Sequence, residues 1–81
     1  MNNRLYVGNL PQEVTAAEVE GLFTHYGKVT SASIVTDRQS GDSRGFGFVE
    51  MADPQHAHNA INELNGHRVV QRFLVVDSAR D

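Results

Sequence analysis

The chain has 81 residues, 40% of them hydrophobic and 21% charged, which is typical of one small, soluble globular domain. It has no cysteine, which excludes disulfides and cysteine-ligated zinc, and no apolar run near the roughly 18 residues of a membrane span. The formal net charge of −3, from seven basic and ten acidic residues, argues against a strongly basic nucleic-acid-binding domain.

The net acidity is confined to one segment of the chain. Glu13, Glu18 and Glu20 lie between Pro11 and Gly27, where there is no lysine or arginine. The remaining seven acidic residues balance the seven basic ones. One face of the folded domain could therefore still be mildly basic.

The first elements predicted along the chain are a strand and a helix. Residues 4–11 (RLYVGNLP) alternate and then stop, as a short strand does. Thr15 and Glu18 form a capping box, with valines at both staple positions. The helix that follows has an apolar stripe at i, i+3, i+4 and i+7, and a glycine placed to end it: Val19, Leu22, Phe23, Tyr26 and Gly27.

Two strands, a second helix and a last strand follow. Residues 29–36 (VTSASIVT) are β-branched and alternating, and a polar connection with Gly41 leads into residues 44–51 (RGFGFVEM). Asp53 is a predicted N-cap with Pro54 at the first helical position, and Gly66 comes after the end of this helix. Residues 72–79 predict the last strand, preceded by a short extended piece at residues 68–70.

The order β-α-β-β-α-β predicts an α+β, ferredoxin-like fold with a four-stranded antiparallel sheet and two helices on one face. The other face is then open to solvent or to a ligand. Residues predicted to point to the helices are Leu5, Val7, Ile34, Val49, Met51, Leu74 and Val76. Residues predicted on the open face are Tyr6, Gly8, Ser33, Val35, Arg44, Phe46, Phe48, Glu50, Val75 and Asp77.

The open face is predicted to carry three aromatic rings, those of Tyr6, Phe46 and Phe48. Exposed rings cost solubility unless something covers them. Planar side chains on a flat sheet can stack against nucleic-acid bases, at roughly 1–3 kcal/mol for each base. Glycines at 45 and 47 would let this strand lie close to its neighbours, and Arg44 could reach a phosphate or stack on a base.

Over almost its whole length the chain resembles an RNA recognition motif. RGFGFVEM matches seven of the eight positions of the RNP1 octamer, and LYVGNL resembles the RNP2 hexamer. The resemblance implies single-stranded RNA binding, with Tyr6, Phe46 and Phe48 as the stacking residues and Arg44 as the basic first position of RNP1. It also implies a binding protein rather than an enzyme.

The chain departs from the family pattern at several positions. Met51 replaces the final aromatic residue of RNP1, but that position is predicted to face inward. Gln71 stands where the family often has glycine, before Arg72. Ser33, Val35 and Val75 stand where many members have lysine or arginine, which predicts modest affinity without changing the mode of binding.

Few cations are expected around the open face. We predict that Arg44 and Arg80 bind RNA there, with Arg4 or Arg38 at the rim. Glu50 and Asp77 lie on the same face and oppose them. We therefore expect stacking to contribute more than phosphate contacts.

Other functions are less consistent with the sequence. His56 and His58 are two apart on a helix and point in different directions, so they cannot chelate a metal together. We predict no catalytic site, metal or cofactor, a monomer, and a cytoplasmic location that leaves the nucleus or an organelle open. The predicted partner is single-stranded RNA, with single-stranded DNA as a weaker ligand because stacking does not depend on the sugar, and no membrane. The alternative function is a protein-interaction module that docks a partner through the sheet or through the acidic first helix.

Overall fold

Two helices and four main strands follow one another in the predicted order, with a short hairpin before the last strand. The computed structural model describes residues 3–69 and 72–79. Its elements are β1 (Arg4–Gly8), α1 (Ala16–Thr24), β2 (Val29–Thr36), β3 (Ser43–Met51), α2 (Pro54–Leu64), β4 (Arg68–Val69), β5 (Arg72–Phe73) and β6 (Val75–Ser78). The predicted α+β class and element order are confirmed.

Both helices begin where side-chain caps satisfy their first backbone N–H groups. The Thr15 hydroxyl accepts from the Glu18 N–H at 3.2 Å, and the Glu18 carboxylate accepts from the Thr15 N–H at 3.1 Å. Asp53 accepts from the Gln55 N–H at 2.8 Å, and Pro54 begins α2. These are the predicted helix starts.

Helix α1 ends at Thr24, earlier than the glycine that was expected to end it. The N–H of Tyr26 donates to the carbonyl of Phe23 at 3.0 Å, and that of Gly27 to Thr24 at 3.4 Å. These i to i−3 hydrogen bonds tighten the last turn and satisfy carbonyls that the α-helix leaves unpaired.

The sheet has the strand order β2-β3-β1-β6, with antiparallel neighbours, and both helices pack on one side of it. Neither helix in the described ranges has the length and apolar character needed to cross a membrane. The core between the helices and the sheet is built from fully buried side chains of both layers. Its members include Leu5, Val7, Val49, Met51 and Val76 from the strands, with Val19, Phe23, Ala57, Ala60 and Leu64 from the helices.

The predicted last strand is divided into two parts that pair with different partners. β5 pairs with β4 in a two-stranded hairpin, whereas β6 pairs with β1 in the main sheet. Between them, the Leu74 N–H donates to the His67 carbonyl at 2.8 Å, and the Leu74 carbonyl accepts from Gly66 at 2.7 Å. The expected extended piece at 68–70 is present as β4, and residues 70 and 71 lie outside the described part of the chain.

The alternation of β3 is interrupted by a bulge near its start. Ile34 pairs with Gly47 and Thr36 with Ser43, so Val35 alone stands opposite the segment 44–46. Gly45 has φ +84°, a conformation that residues with a Cβ rarely adopt, and its carbonyl accepts from the Leu10 N–H at 2.9 Å. The uniform alternation predicted for 44–51 is therefore wrong at Gly45, because this residue turns its backbone toward the segment after β1.

Candidate nucleic-acid interface

The face of the sheet opposite the helices, called the open face below, is organised in rows that cross the strands. The register pairs Tyr6 with Phe48 on one side and with Asp77 on the other, and Phe48 with Ser33. Because directly paired residues point to the same side, each set of partners forms one row. The rows are Ser31–Glu50–Arg4, then Ser33–Phe48–Tyr6–Asp77, then Phe46–Gly8–Val75.

The three predicted stacking residues meet in one group at the centre of the open face, the aromatic cluster of Tyr6, Phe46 and Phe48. The Tyr6 and Phe46 ring centroids are 5.9 Å apart with the planes inclined by 30°. Phe48 meets both rings edge-on, at 6.1 Å from Tyr6 and 6.2 Å from Phe46. All three side chains are half-buried. The three rings therefore form one contiguous aromatic surface.

Tyr6 reaches Phe46 because the residue beneath its ring has no side chain. Gly8 is paired with Phe46, and a Cβ added at Gly8 would lie 2.6 Å from Cε2 of Tyr6. The tyrosine ring therefore lies over Gly8, which is buried although it belongs to the open face. This glycine allows the stacked contact between the two rings.

Arg4 takes part in the aromatic surface rather than lying at its rim. Its guanidinium carbon is 4.4 Å from the centroid of the Phe48 ring, which is a cation–π contact. Arg4 is paired across the sheet with Glu50, one row away from Phe48. The sequence predicted Arg4 at the rim of the open face, whereas the β1–β3 register brings it diagonally over the Phe48 ring.

The other predicted basic residues are less well defined by the fold. Arg44 is exposed and lies in the bulge of β3, beside Phe46 in the chain. Arg80 lies outside the described residues, so its predicted contact with RNA stays a prediction from the sequence. Arg38 is exposed in the connection between β2 and β3, away from the paired rows.

The connection between β2 and β3 is ordered by one carboxylate. Asp37 accepts hydrogen bonds from the backbone N–H groups of Ser40 and Gln39, at 3.1 Å and 2.8 Å. Both bonds lower the pKa of the Asp37 carboxyl because they favour its charged form, and the bond from Ser40 has the larger effect. The turn next to the bulge therefore carries a fixed negative charge at neutral pH.

The sequence analysis placed Val75 on the open face but did not select Phe73, two residues before it in the chain. Phe73 is 61% exposed and Val75 is 47% exposed. The side chain of Asn9 donates to the Phe73 carbonyl at 2.9 Å and accepts from Arg72 at 3.4 Å. Leu74 and Val76 were predicted to point inward, so strand alternation directs Phe73, Val75 and Asp77 outward. This alternation is the sequence signal that could have identified Phe73.

Within residues 3–69 and 72–79, no group of three or more histidine, aspartate or glutamate side chains could hold a metal ion. His56 and His58 are both exposed, and the imidazole of His58 contacts the Asn62 amide at 3.3 Å. These side chains form part of the helix surface.

A four-stranded antiparallel sheet with helices on one side and an aromatic cluster on its bare side defines a class of binding domain. The RNA recognition motif family matches residues 5–75 of this chain. The chain therefore belongs to the RNA recognition motif family, which confirms the resemblance seen in its sequence.

Individual relatives show the same likeness. RNA-binding protein CP31B of Arabidopsis thaliana chloroplasts is 44% identical over 96% of this chain, which covers 27% of that protein. The crystal structure of RNA binding protein PG1 has a TM-score of 0.93 and 47% identity, covering 96% of this chain and 94% of PG1. A structure named as an Sxl-lethal protein/RNA complex has a TM-score of 0.95 and 34% identity, covering all of this chain and 48% of the other. The chain thus spans about a quarter of the first relative and half of the third.

Proposed function

We propose that this chain binds single-stranded RNA by stacking bases on the aromatic cluster of Tyr6, Phe46 and Phe48. The observation that carries the proposal is the position of three touching rings on a sheet face that no helix covers. Exposed rings on that face offer π-surfaces to bases that are unpaired and unstacked. Membership of the RNA recognition motif family supports the same activity.

Basic side chains assist the proposed binding at the edges of the aromatic cluster. Arg4 presents a planar cation on the Phe48 ring, which suits stacking against a base or contact with a phosphate. Arg44, two residues before Phe46 in the chain, adds an exposed charge. We retain Arg80 as a proposed RNA contact on the sequence argument alone.

The proposal treats residues 1–81 as one RNA recognition motif that acts by binding, without catalysis. Relatives of this chain are named as proteins of chloroplasts and mitochondria, so an organelle is as compatible with the sequence as the cytoplasm. The alternative of a protein-docking helix α1 has no separate support. Helix α1 contains two acidic residues, Glu18 and Glu20, and Glu18 is already engaged in the helix cap.

A competition between single-stranded and duplex RNA tests the proposed function. The chain is titrated with a single-stranded homopolymer while amide and ring NMR signals are followed, and a duplex of matched length is added as competitor. We expect shifts at the aromatic cluster, and the single strand to bind more tightly because its bases are free to stack. A preference for the duplex, or shifts confined to α1, would contradict the proposal.

A further inference from the structure

The exposed ring of Phe73 lies on the same side of the sheet as the aromatic cluster. Between residues 73 and 77 the burial alternates: Leu74 and Val76 are 1% and 2% exposed, whereas Phe73 and Val75 are largely exposed. Since alternate residues of an extended segment point to the same side, Phe73 shares the side of Val75. Val75 pairs with Gly8 in the Phe46 row, and Phe73, two residues before it, pairs with Arg68 in the hairpin just beyond that row.

The backbone of Phe73 is held against the end of β1. Asn9, which directly follows Gly8, has φ +59° and donates from its amide to the Phe73 carbonyl at 2.9 Å. The same Asn9 side chain accepts from Arg72 at 3.4 Å, and β4 pairs with β5 on the other side. Phe73 is therefore placed next to the open face by hydrogen bonds on both sides of its strand.

The charges around Phe73 suit an anionic ligand. Arg72 precedes Phe73 and starts from the other side of the strand, but it is exposed and its guanidinium contacts the Asn9 side chain at the end of β1 at 3.4 Å. The carboxylates Glu50 and Asp77 of the open face belong to other rows. Two exposed apolar residues beside a guanidinium match a nucleotide, which has an apolar base and an anionic phosphate.

We propose that Phe73, with Val75 and Arg72, forms an additional binding position for one nucleotide of the same RNA strand that covers the aromatic cluster. This inference rests on the proposed function, because the strand must first occupy the cluster. The base stacks on Phe73 against Val75, and the long side chain of Arg72, whose guanidinium lies against Asn9 at the end of β1, reaches the phosphate. The bound RNA therefore extends beyond the three rings, past the end of β1 and onto the hairpin of β4 and β5.

The test measures affinity against RNA length. Oligouridylates of about three to eight nucleotides are titrated into the intact chain, into Phe73→Ala and into Phe73→Leu, which keeps an apolar side chain without the ring. For the longer RNAs, we expect Phe73→Ala to bind roughly 5- to 150-fold more weakly, the equivalent of one stacked base. The shortest RNAs should bind all three proteins alike. In Phe73→Leu, most of the increase in affinity from short to long RNAs should also be lost.

A matched pair of charge variants examines the guanidinium. Arg72→Gln and Lys28→Gln remove the same charge, but Lys28 precedes β2 at the opposite end of the sheet. Arg72→Gln should weaken binding of the longer RNAs more than Lys28→Gln does. Equal effects of the two variants would overturn the role given to Arg72.

The outcome for Phe73 is read together with a Phe46→Ala/Phe48→Ala variant. If that variant loses binding while Phe73→Ala binds every length as the parent does, the additional position is wrong and the proposed function stands. If the double variant binds like the parent, the proposed function itself is wrong. If Phe73→Ala changes only self-association in sedimentation, a second copy covers Phe73, and the inference is overturned.

Discussion

The two faces of the central strands carry different side chains, aliphatic on one face and aromatic on the other, and they differ in what covers them. Leu5 and Val49 point to the helices and are at most 1% exposed, whereas their neighbours Tyr6 and Phe48 point away and are half-buried. The rings of the open face are shielded mainly by one another and by Arg4. Adjacent residues of one strand thus differ in burial, and under the proposed function one face serves folding and the other binds RNA. Substitutions on one face or the other can therefore test folding and RNA binding separately.

The largest expected effect comes from removing two rings of the aromatic cluster. Phe46→Ala with Phe48→Ala should weaken binding of single-stranded RNA by about 2–6 kcal/mol, since each ring can stack one base. The protein should stay folded because neither ring belongs to the core. Affinity is measured by titration, and folding by circular dichroism and thermal melting.

A double change of the same two residues to tyrosine is the matched control. It keeps both aromatic planes, so it should bind nearly as the parent does. Unfolding of the alanine variant would show that the two faces are not independent. Undiminished binding would show that RNA lies elsewhere.

The converse change removes a core side chain from the same strand as Tyr6. Leu5→Ala should lower the free energy of unfolding by about 2–5 kcal/mol, because Leu5 is fully buried and its loss leaves a cavity. Urea denaturation measures this change. RNA affinity, measured well below the melting temperature, should change little. A large loss of affinity in a protein that is still folded would mean that the helix-covered face takes part in binding.

A smaller effect is expected where the backbone itself supports a ring. In Gly8→Ala the new methyl group occupies space taken by the end of the Tyr6 ring, so the ring must move while the backbone keeps its place. Affinity should fall by at most the value of one stacked base, about 1–3 kcal/mol. Tyr6 ring NMR signals should shift in the free protein.

Gly21→Ala is the control for this substitution. Gly21 lies in α1 with open space around it, so a methyl group there displaces nothing. Alanine in a helix interior should stabilise the fold by roughly 0.5–1 kcal/mol and leave RNA affinity unchanged. If both glycine variants bind alike, the position of Tyr6 over Gly8 does not matter for RNA.

Salt should have the mildest effect, because the open face is more aromatic than basic. Contacts of two or three arginines with phosphates predict that log affinity falls against log salt with a slope of about −1.4 to −2.1, at roughly −0.7 per phosphate. Glu50 and Asp77 on the same face limit the number of such contacts. Titrations at several salt concentrations measure the slope. A value steeper than about −3.5 would require at least five phosphate contacts and a different RNA path.

Much of this protein could be predicted from local patterns in the sequence. The structure confirms the capping box at Thr15 and the helix start at Asp53–Pro54. It also confirms that Leu5 points to the helices while its neighbour Tyr6 points away from them. Each depends on residues within about one turn of helix or two steps of strand, where hydrogen bonding and side-chain direction follow from the chain itself. The element order then limited the fold to one sheet with a bare face.

Contacts between distant strands were decided by the tertiary structure. Strand register decides the bulge at Gly45, the position of Arg4 over Phe48 and the pairing of Phe73 with β4. Register is set by how far each strand slides along its neighbour as the core packs, and by hydrogen bonds such as that from Asn9 to Phe73 across 64 residues. A local pattern shows which side of a strand a residue takes, but its neighbours on that side are set by the pairing of the strands.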